Sequence, residues 1–372
     1  MENQNSLEIR ESDRCPLTGA KGEPLRNYSG QELANAYETH FGKALSPELV
    51  TRYFEQNVQE FHSASSGLRW FSPAVIAGEE FYQLLDASYP WYYTKSTWDK
   101  HYTVRILKQL GVANFVEIGC GDGAFLEMAS AAGLKGIGVD TNRVALEKLT
   151  AKGYNGLLPE AFTKPDENVD ALVMLQVLEH VPEPLEFVRH YVKCCDPNRI
   201  IIAVPSHETL LARVSDPLAW PPHHVTMWSQ RAFECLGELT GYTLSHTAYP
   251  PMTYLRFVQL FNHEDGGLSP LGALRRRRGD GASRAEASDV VARWIRNIGS
   301  VDRRTRDEQR TDLPSKLLRK LYRDVLRPLD EPTDTDLIGP RFGRLKWLTQ
   351  RLLRRPWATR DFWMLVVLDK RR

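Results

Sequence analysis

The sequence predicts an α/β chain built on a doubly wound parallel sheet. Apolar strand-like runs alternate with helical patterns from about residue 114 to 249, and such alternation gives a parallel sheet covered on both faces. The run Asn114 to Ile118 is followed by glycines at alternate positions, Gly119, Gly121 and Gly123, and then by a helical pattern. Asp140 stands 21 residues after Gly119, at the end of a second strand-like run that begins at Gly136.

Each element follows from its residues. The first core strand is expected at about 114–118 and its helix at about 123–132. The second strand, about 136–140, leads to a helix capped by Asn142 and ended near Gly153. A short third strand near Gly156 to Leu158 precedes Pro159-Glu-Ala-Phe162. The fourth strand is Val169 to Leu175, and Pro184 to Cys195 reads as a helix with proline in its first turn. The fifth strand, Arg199 to Val204, is closed by Pro205. A helix from Ser229 to Gly241 and a sixth strand at about Thr243 to Tyr249 complete the alternation.

Strand, glycine turn, helix and acid together are the layout of a nucleoside-binding unit, with Asp140 placed to grip ribose hydroxyls. The glycines also satisfy G-x-G-x-x-A, which admits a nicotinamide or flavin dinucleotide. Two acids oppose that reading. Asp122 lies inside the loop where a pyrophosphate would sit, and like charges there are costly. Glu117, just before the first glycine, suits an ammonium group better than a phosphate. A glycine-rich turn without a ligand is the plain alternative.

Glu117-x-Gly119-x-Gly121-x-Gly123 with Asp140 resembles the binding signature of class I S-adenosylmethionine-dependent methyltransferases. The resemblance covers about residues 90–250. It implies a Rossmann-like seven-stranded sheet whose last strand is antiparallel, and the apolar run Phe362 to Leu368 is the candidate for that strand. The expected organisation is an N-terminal helical cap over 1–97, a core over 98–250, a helical insertion over 251–359 and the final strand over 360–372. The alternative for the last run is the core of a separate C-terminal domain. S-adenosylmethionine is the implied cofactor. Glu117 and Gly119 would face its amino-acid end, with Cys120, Gly121 and Gly123 in the loop. Asp140, followed by Thr141, would take the ribose. Glu160, Ala161 and Phe162 would lie by the adenine, and Gln176 and Val177 would border the methionine part.

Trp91 to Trp98 is crowded with aromatics, and a similar segment in relatives precedes the core and helps cover the cofactor; packing on the sheet explains it equally well. Upstream, Cys15-x-x-Thr18-Gly and Ser63-x-x-Ser66-Gly resemble the two knuckles of a zinc ribbon found in a branch acting on sugars and natural products. Three of the four ligand positions here are Thr or Ser, and neutral hydroxyls do not replace thiolates on structural zinc. The expectation is a metal-free remnant with a helical insert at about 30–61, or a chance likeness.

Methyl transfer is largely positioning of the acceptor against the methyl carbon, and a hydroxyl acceptor gains from a base. Ligands of open α/β folds bind past the carboxyl ends of the strands. Leu178-Glu-His180-Val after the fourth strand and Pro221-Pro-His223-His224 after the fifth resemble the corresponding segments of small-molecule methyltransferases. His224, His223 and His180 are the candidate bases, offering imidazoles of near-neutral pKa; holding their loops by hydrogen bonds is the other role open to them. No metal is expected, because adjacent histidines seldom point to one ion. The segment after the fourth strand lacks the Asp/Asn-Pro-Pro-aromatic sequence of amino-methyltransferases of DNA.

The 372 residues are 42% hydrophobic and 26% charged, a globular composition. No apolar run reaches the roughly 18 residues that span a bilayer, and the polar N-terminus is not a secretory signal. Five cysteines form no paired framework, which suits a cytoplasmic protein. The net charge of +1 hides an asymmetry: residues 1–270 carry 22 basic against 33 acidic side chains, and 271–372 carry 26 against 14. Leucine stripes at 317–326 and 345–353 give the insertion amphipathic helices with basic faces. Those faces suit packing on the chain's own core or a second subunit, an anionic membrane surface, or nucleic acid. The reading that results is methyl transfer, foremost O-methylation of a small molecule or glycan precursor. The alternatives are a nucleic-acid or protein methyltransferase docking through 271–359, and a non-catalytic cofactor-binding regulator.

Overall fold

Seven strands form one sheet in the order β10-β11-β8-β7-β4-β5-β6. They are β4 (Asn114–Ile118), β5 (Lys135–Val139), β6 (Gly156–Leu157), β7 (Ala171–Leu175), β8 (Arg199–Pro205), β10 (Tyr242–Ala248) and β11 (Trp363–Lys370). The computed structural model describes residues 13–88, 96–165, 167–208, 216–250 and 363–371. Strands β4 to β8 pair in parallel. β11 lies antiparallel between β8 and β10, with Trp363 opposite Pro205 and Asp369 opposite Arg199. The last apolar run of the chain is therefore a sheet strand, and the separate-domain alternative for it falls. Parallel strands covered on both faces read as continuous apolar runs. That is why β7 and most of β8 are wholly buried.

The covering helices are α4 (Trp98–Gln109), α5 (Ala124–Ala131), α6 (Arg143–Ala151), α7 (Pro184–Cys195) and α8 (Gln230–Thr240). Asn142 caps α6 through its side chain, and Ser229 caps α8 in the same way; each supplies an acceptor to an otherwise orphan amide. Gly241 ends α8 in the left-handed conformation. On one side of the sheet, Leu107, Phe115, Phe125, Leu149, Val173 and Leu365 form one buried cluster.

Before the core come β1 (Glu23–Tyr28), α1 (Gly30–Phe41), α2 (Pro47–Tyr53), β2 (Val58–His62), β3 (Arg69–Ser72) and α3 (Glu79–Ser88). α1 and α2 fall within the helical insert expected at about 30–61, but residues 58–61 at its end belong to β2, and an antiparallel sheet that the sequence did not reveal joins these elements. Its order is β1-β2-β3-β9, and β9 (Thr226–Met227) belongs to the loop after β8. These strands are two to six residues long, and β1 is almost fully exposed, so they carry little alternating pattern. The turns at Cys15–Gly19 and Ser63–Gly67 meet, with Cys15 Sγ 3.3 Å from Ser66 Oγ. Gly19 and Gly67 both take positive φ, +69° and +72°.

The described residues belong almost wholly to one compact unit, Met1–His207 with Asp216–Ala248 and Trp363–Arg372. The expected basic helical insertion and residues 91–95 of the aromatic segment lie outside the described residues.

Leu365 is fully buried in β11. Leu365→Ala should therefore lower stability by about 2–5 kcal/mol in urea denaturation. Grafting three thiols beside Cys15 (Thr18→Cys, Ser63→Cys, Ser66→Cys) should create a cobalt site with thiolate charge-transfer absorption that the parent chain lacks.

Candidate cofactor cradle and acceptor site

The cradle is built where β4 ends. Gly119, Gly121 and Gly123 have φ of +76°, +54° and +85°, a region L side chains seldom adopt. A Cβ on Gly119 would stand 2.5 Å from Val177 Cγ2, and one on Gly123 would stand 2.1 Å from Leu149 Cδ1. The loop is thus pressed against both the segment after β7 and helix α6. Asp140, just past β5, holds it: Oδ2 accepts from the Gly121 amide at 2.7 Å and Oδ1 from the Asn142 amide at 2.8 Å. Each oxygen keeps a lone pair for another donor. Cys120 offers only backbone here, because its buried thiol is turned under Gly138. Burial raises that thiol's pKa. Thr141 is exposed beside Asp140.

Glu117 is 3% exposed, and its Oε2 has no hydrogen-bond partner. Burial pushes its carboxyl well above the usual range; Lys100 opposes this, while Asp140 and Asp99 add to it. Gln176 follows β7 with φ +58°, and its Nε2 is buried without a partner. A non-glycine residue in this strained region marks a position fixed for a purpose. An orphan carboxylate oxygen and an orphan amide donor at the ends of neighbouring strands β4 and β7 match a zwitterion. Glu117 suits an ammonium group and Gln176 a carboxylate. The residues therefore fit S-adenosylmethionine, whose amino-acid end carries both.

The adenine side is less as expected. Glu160 is exposed and its Oε1 is bound by Arg143 at 3.1 Å, and Ala161 is exposed. Phe162 is only 6% exposed, tilted against Tyr191 at 5.9 Å. Its ring serves the core first and leaves little face for a base.

The three histidines converge. Ring centroids lie 5.0 Å apart for His180 and His223, 5.0 Å for His180 and His224, and 4.3 Å for His223 and His224. Two corrections follow. Adjacent histidines do share a direction here, because both the His223 and His224 amides bond to the Trp220 carbonyl, at 3.0 and 3.1 Å. The backbone is therefore a tight turn, in which successive side chains need not oppose each other as in a strand. Nor are the imidazoles of near-neutral pKa. Burial lowers His180 to about 4 and His223 to about 3, and pushes His224 well below its ordinary value; neighbouring rings deepen the last two shifts. All three are neutral at pH 7, and a base so weak gives little proton-transfer drive.

The histidine loops are stitched together. Val225 N bonds Glu179 O at 2.8 Å, Thr226 Oγ1 bonds Leu178 O at 2.8 Å, and Tyr37 from α1 bonds Trp220 O at 2.7 Å. Tyr82 from α3 reaches His180 Nδ1 at 3.2 Å. Sequence reasoning missed three further residues here: Tyr82, Asp99 and Glu179. Asp99 and Glu179 are each 1% exposed, and Glu179 has no partner on either oxygen. Burial, with Asp99 adding, raises Glu179 to about 8. For Glu179 the available signal was an acid beside a histidine between the apolar Leu178 and Val181.

A nucleoside cradle at the switch point of a seven-stranded sheet with an antiparallel last strand defines a class I methyltransferase domain. Residues 91–247 match the family model described as a methyltransferase domain, and this part of the chain is such a domain, with S-adenosylmethionine as its cofactor. The chain is 28% identical over 156 residues to a ubiquinone biosynthesis O-methyltransferase of Bradyrhizobium diazoefficiens, covering 38% of this chain and 61% of that one. It is 30% identical over 146 residues to the enzyme of the same description from Methylobacterium nodulans, covering 36% and 58%. The chain thus spans about three fifths of the length of these relatives. A solved S-adenosylmethionine-dependent methyltransferase of Archaeoglobus fulgidus aligns with a TM-score of 0.37 at 14% identity, covering 73% of this chain and 94% of that one.

Glu179 carries a pH signature. Its folded pKa lies above its unfolded one, so it stabilises the fold least once ionised. The melting temperature of Glu179→Gln relative to the parent should rise steadily between about pH 4.5 and 8, and a flat difference would remove the assigned burial.

Proposed function

We propose that this chain transfers a methyl group from S-adenosylmethionine to a hydroxyl oxygen of a small molecule or glycan precursor. The observation that carries the reading is Glu117, a buried carboxyl group with an unpaired oxygen beside the glycine turn. The O-methyltransferase description of both curated relatives supports a hydroxyl acceptor.

In this reading Glu117 binds the ammonium group and Gln176 the carboxylate of the cofactor's amino-acid end. Asp140 takes ribose hydroxyls on the lone pairs left by the two amides it already holds. The bound cofactor supplies an electrophilic methyl carbon, and the electrons of the broken C–S bond stay on sulfur. The loops after β7 and β8, stitched by Thr226 and Val225, wall the acceptor side and exclude water. His180, His223 and His224 line that wall as neutral rings. The five free cysteines accord with a reducing compartment, which is where we place the protein.

Titration calorimetry tests the cradle. Asp140→Ala and Glu117→Gln should each weaken S-adenosylmethionine by about tenfold or more, at roughly 1.4 kcal/mol per tenfold. Unchanged affinity in both would remove the reading. Transfer of labelled methyl to a panel of phenols and sugar hydroxyls then tests the acceptor class.

A further inference from the structure

We propose that one face of the sheet β1-β2-β3-β9 holds a neutral saccharide, in a subsite separate from the cradle and the histidine loops. A cavity of about 570 Å³ opens on that face, within the size range of sites that take small ligands.

Strand register builds the cavity. Val58 and Glu60 of β2 are buried, on the side of the aromatic cluster that contains Tyr28 and Phe71. Gln59 and Phe61 alternate with them and so share the opposite face. Asn27 of β1 stands opposite Gln59, and Gln59 stands opposite Ser72 of β3. These three residues form one polar row across three strands, and all of them line the cavity. Two positions along β2, Phe61 stands opposite Trp70, and their rings stack at 5.6 Å with 18° between planes. Trp70 is buried, whereas Phe61 is half-buried and lines the cavity.

The lining chemistry selects the ligand. Asn27, Asn57 and Gln59 bring three carboxamides, groups that both donate and accept. Gln59 is set in advance: its Nε2 donates to the Arg26 carbonyl at 2.9 Å and to the Glu60 carbonyl at 2.8 Å. Both amide hydrogens are then committed, and Oε1 is held as an acceptor. Of the lining residues only Asp13 and Arg14 are charged, and their signs oppose. An ion therefore meets no net charge of opposite sign, and an apolar ligand would strand the amides it desolvates. A sugar satisfies both conditions. Its hydroxyls donate and accept, and the C–H face of its ring can pack on Phe61.

The subsite lies one residue from the acceptor wall. Ser72 lines it, and the amide of the preceding Phe71 donates to the Val225 carbonyl at 3.0 Å. Val225 directly follows His224. Saccharide binding here stands on its own. Its role, anchoring the glycan part of an acceptor, rests on the O-methylation reading.

The test is saturation-transfer NMR on the full chain, with the methyl glycosides of glucose, galactose, mannose and N-acetylglucosamine as probes. At least one should bind saturably. Asn27→Ala/Asn57→Ala alters two exposed side chains and should keep the parent circular dichroism. It should weaken binding about fivefold or more, as the loss of one or two hydrogen bonds implies. Phe61→Leu should weaken it as well, and Phe61→Tyr should preserve it. No saturable binding of any probe by the parent chain overturns the proposal, and so does binding that survives both the double variant and Phe61→Leu. Tighter binding of methyl glucuronide or methyl glucosaminide than of methyl glucoside overturns the neutral class. Calorimetry with S-adenosylmethionine separates the two readings: cofactor binding without glycoside binding removes the subsite alone, and the converse removes the cradle alone. Where methyl transfer is observed, the double variant should raise KM for a glycosylated acceptor and leave its kcat, and the KM of the aglycone, unchanged. An unchanged KM for both acceptors overturns the anchoring role and leaves free sugar as the ligand.

Discussion

The carboxylate of Asp140 is the tie on which the cradle depends. It holds the Gly121 amide on one side and the Asn142 amide on the other, so one side chain fixes the glycine turn after β4 and the start of α6. Charge-assisted bonds to backbone amides are among the stronger hydrogen bonds in a protein. The turn they hold has no slack, since Val177 and Leu149 stand where any Cβ on Gly119 or Gly123 would go. Strands β4, β5 and β7 and helix α6 therefore meet at one point. That point is where main-chain amides meet an acid that keeps spare lone pairs.

Beyond that point the site is governed by burial. Glu117, Glu179 and the three histidines all lie where charge is poorly solvated, and each shifts toward its neutral form. Nature retains such groups where something compensates them. For Glu117 the proposed partner is a cationic amine. Two of the histidines are tied to main-chain carbonyls, His180 to that of His223 and His223 to that of Leu218.

The N-terminal region is coupled to this chemistry through the main chain. Strand β9 lies in the loop that carries His223 and His224, yet it pairs with β3. Ser229 caps α8 and also bonds the Gly67 carbonyl at 2.9 Å, tying the turn at Ser63–Gly67 to the core. Tyr28, Tyr37, Phe54, Phe71 and Phe81 form the buried cluster beneath. Tyr37 and Tyr82 link this aromatic region to the histidine loops, through the Trp220 carbonyl and His180 Nδ1.

By itself the sequence determined the core and its cradle. Strands buried on both faces must be continuously apolar, glycines must stand where φ is positive, and an acid must end β5; each leaves a local mark. The antiparallel place of Trp363–Lys370 was legible only with a family likeness, because no local pattern distinguishes a returning strand from an isolated one. The four-stranded sheet before the core was not legible, since two- to six-residue strands show too little periodicity. Nor was the meeting of His180 with His223 and His224. Those residues are some forty positions apart, and only the turn about the Trp220 carbonyl and the stitching of two loops bring their rings together. The same enclosure sets their basicity, because desolvation is a property of the packed fold and not of any residue taken alone.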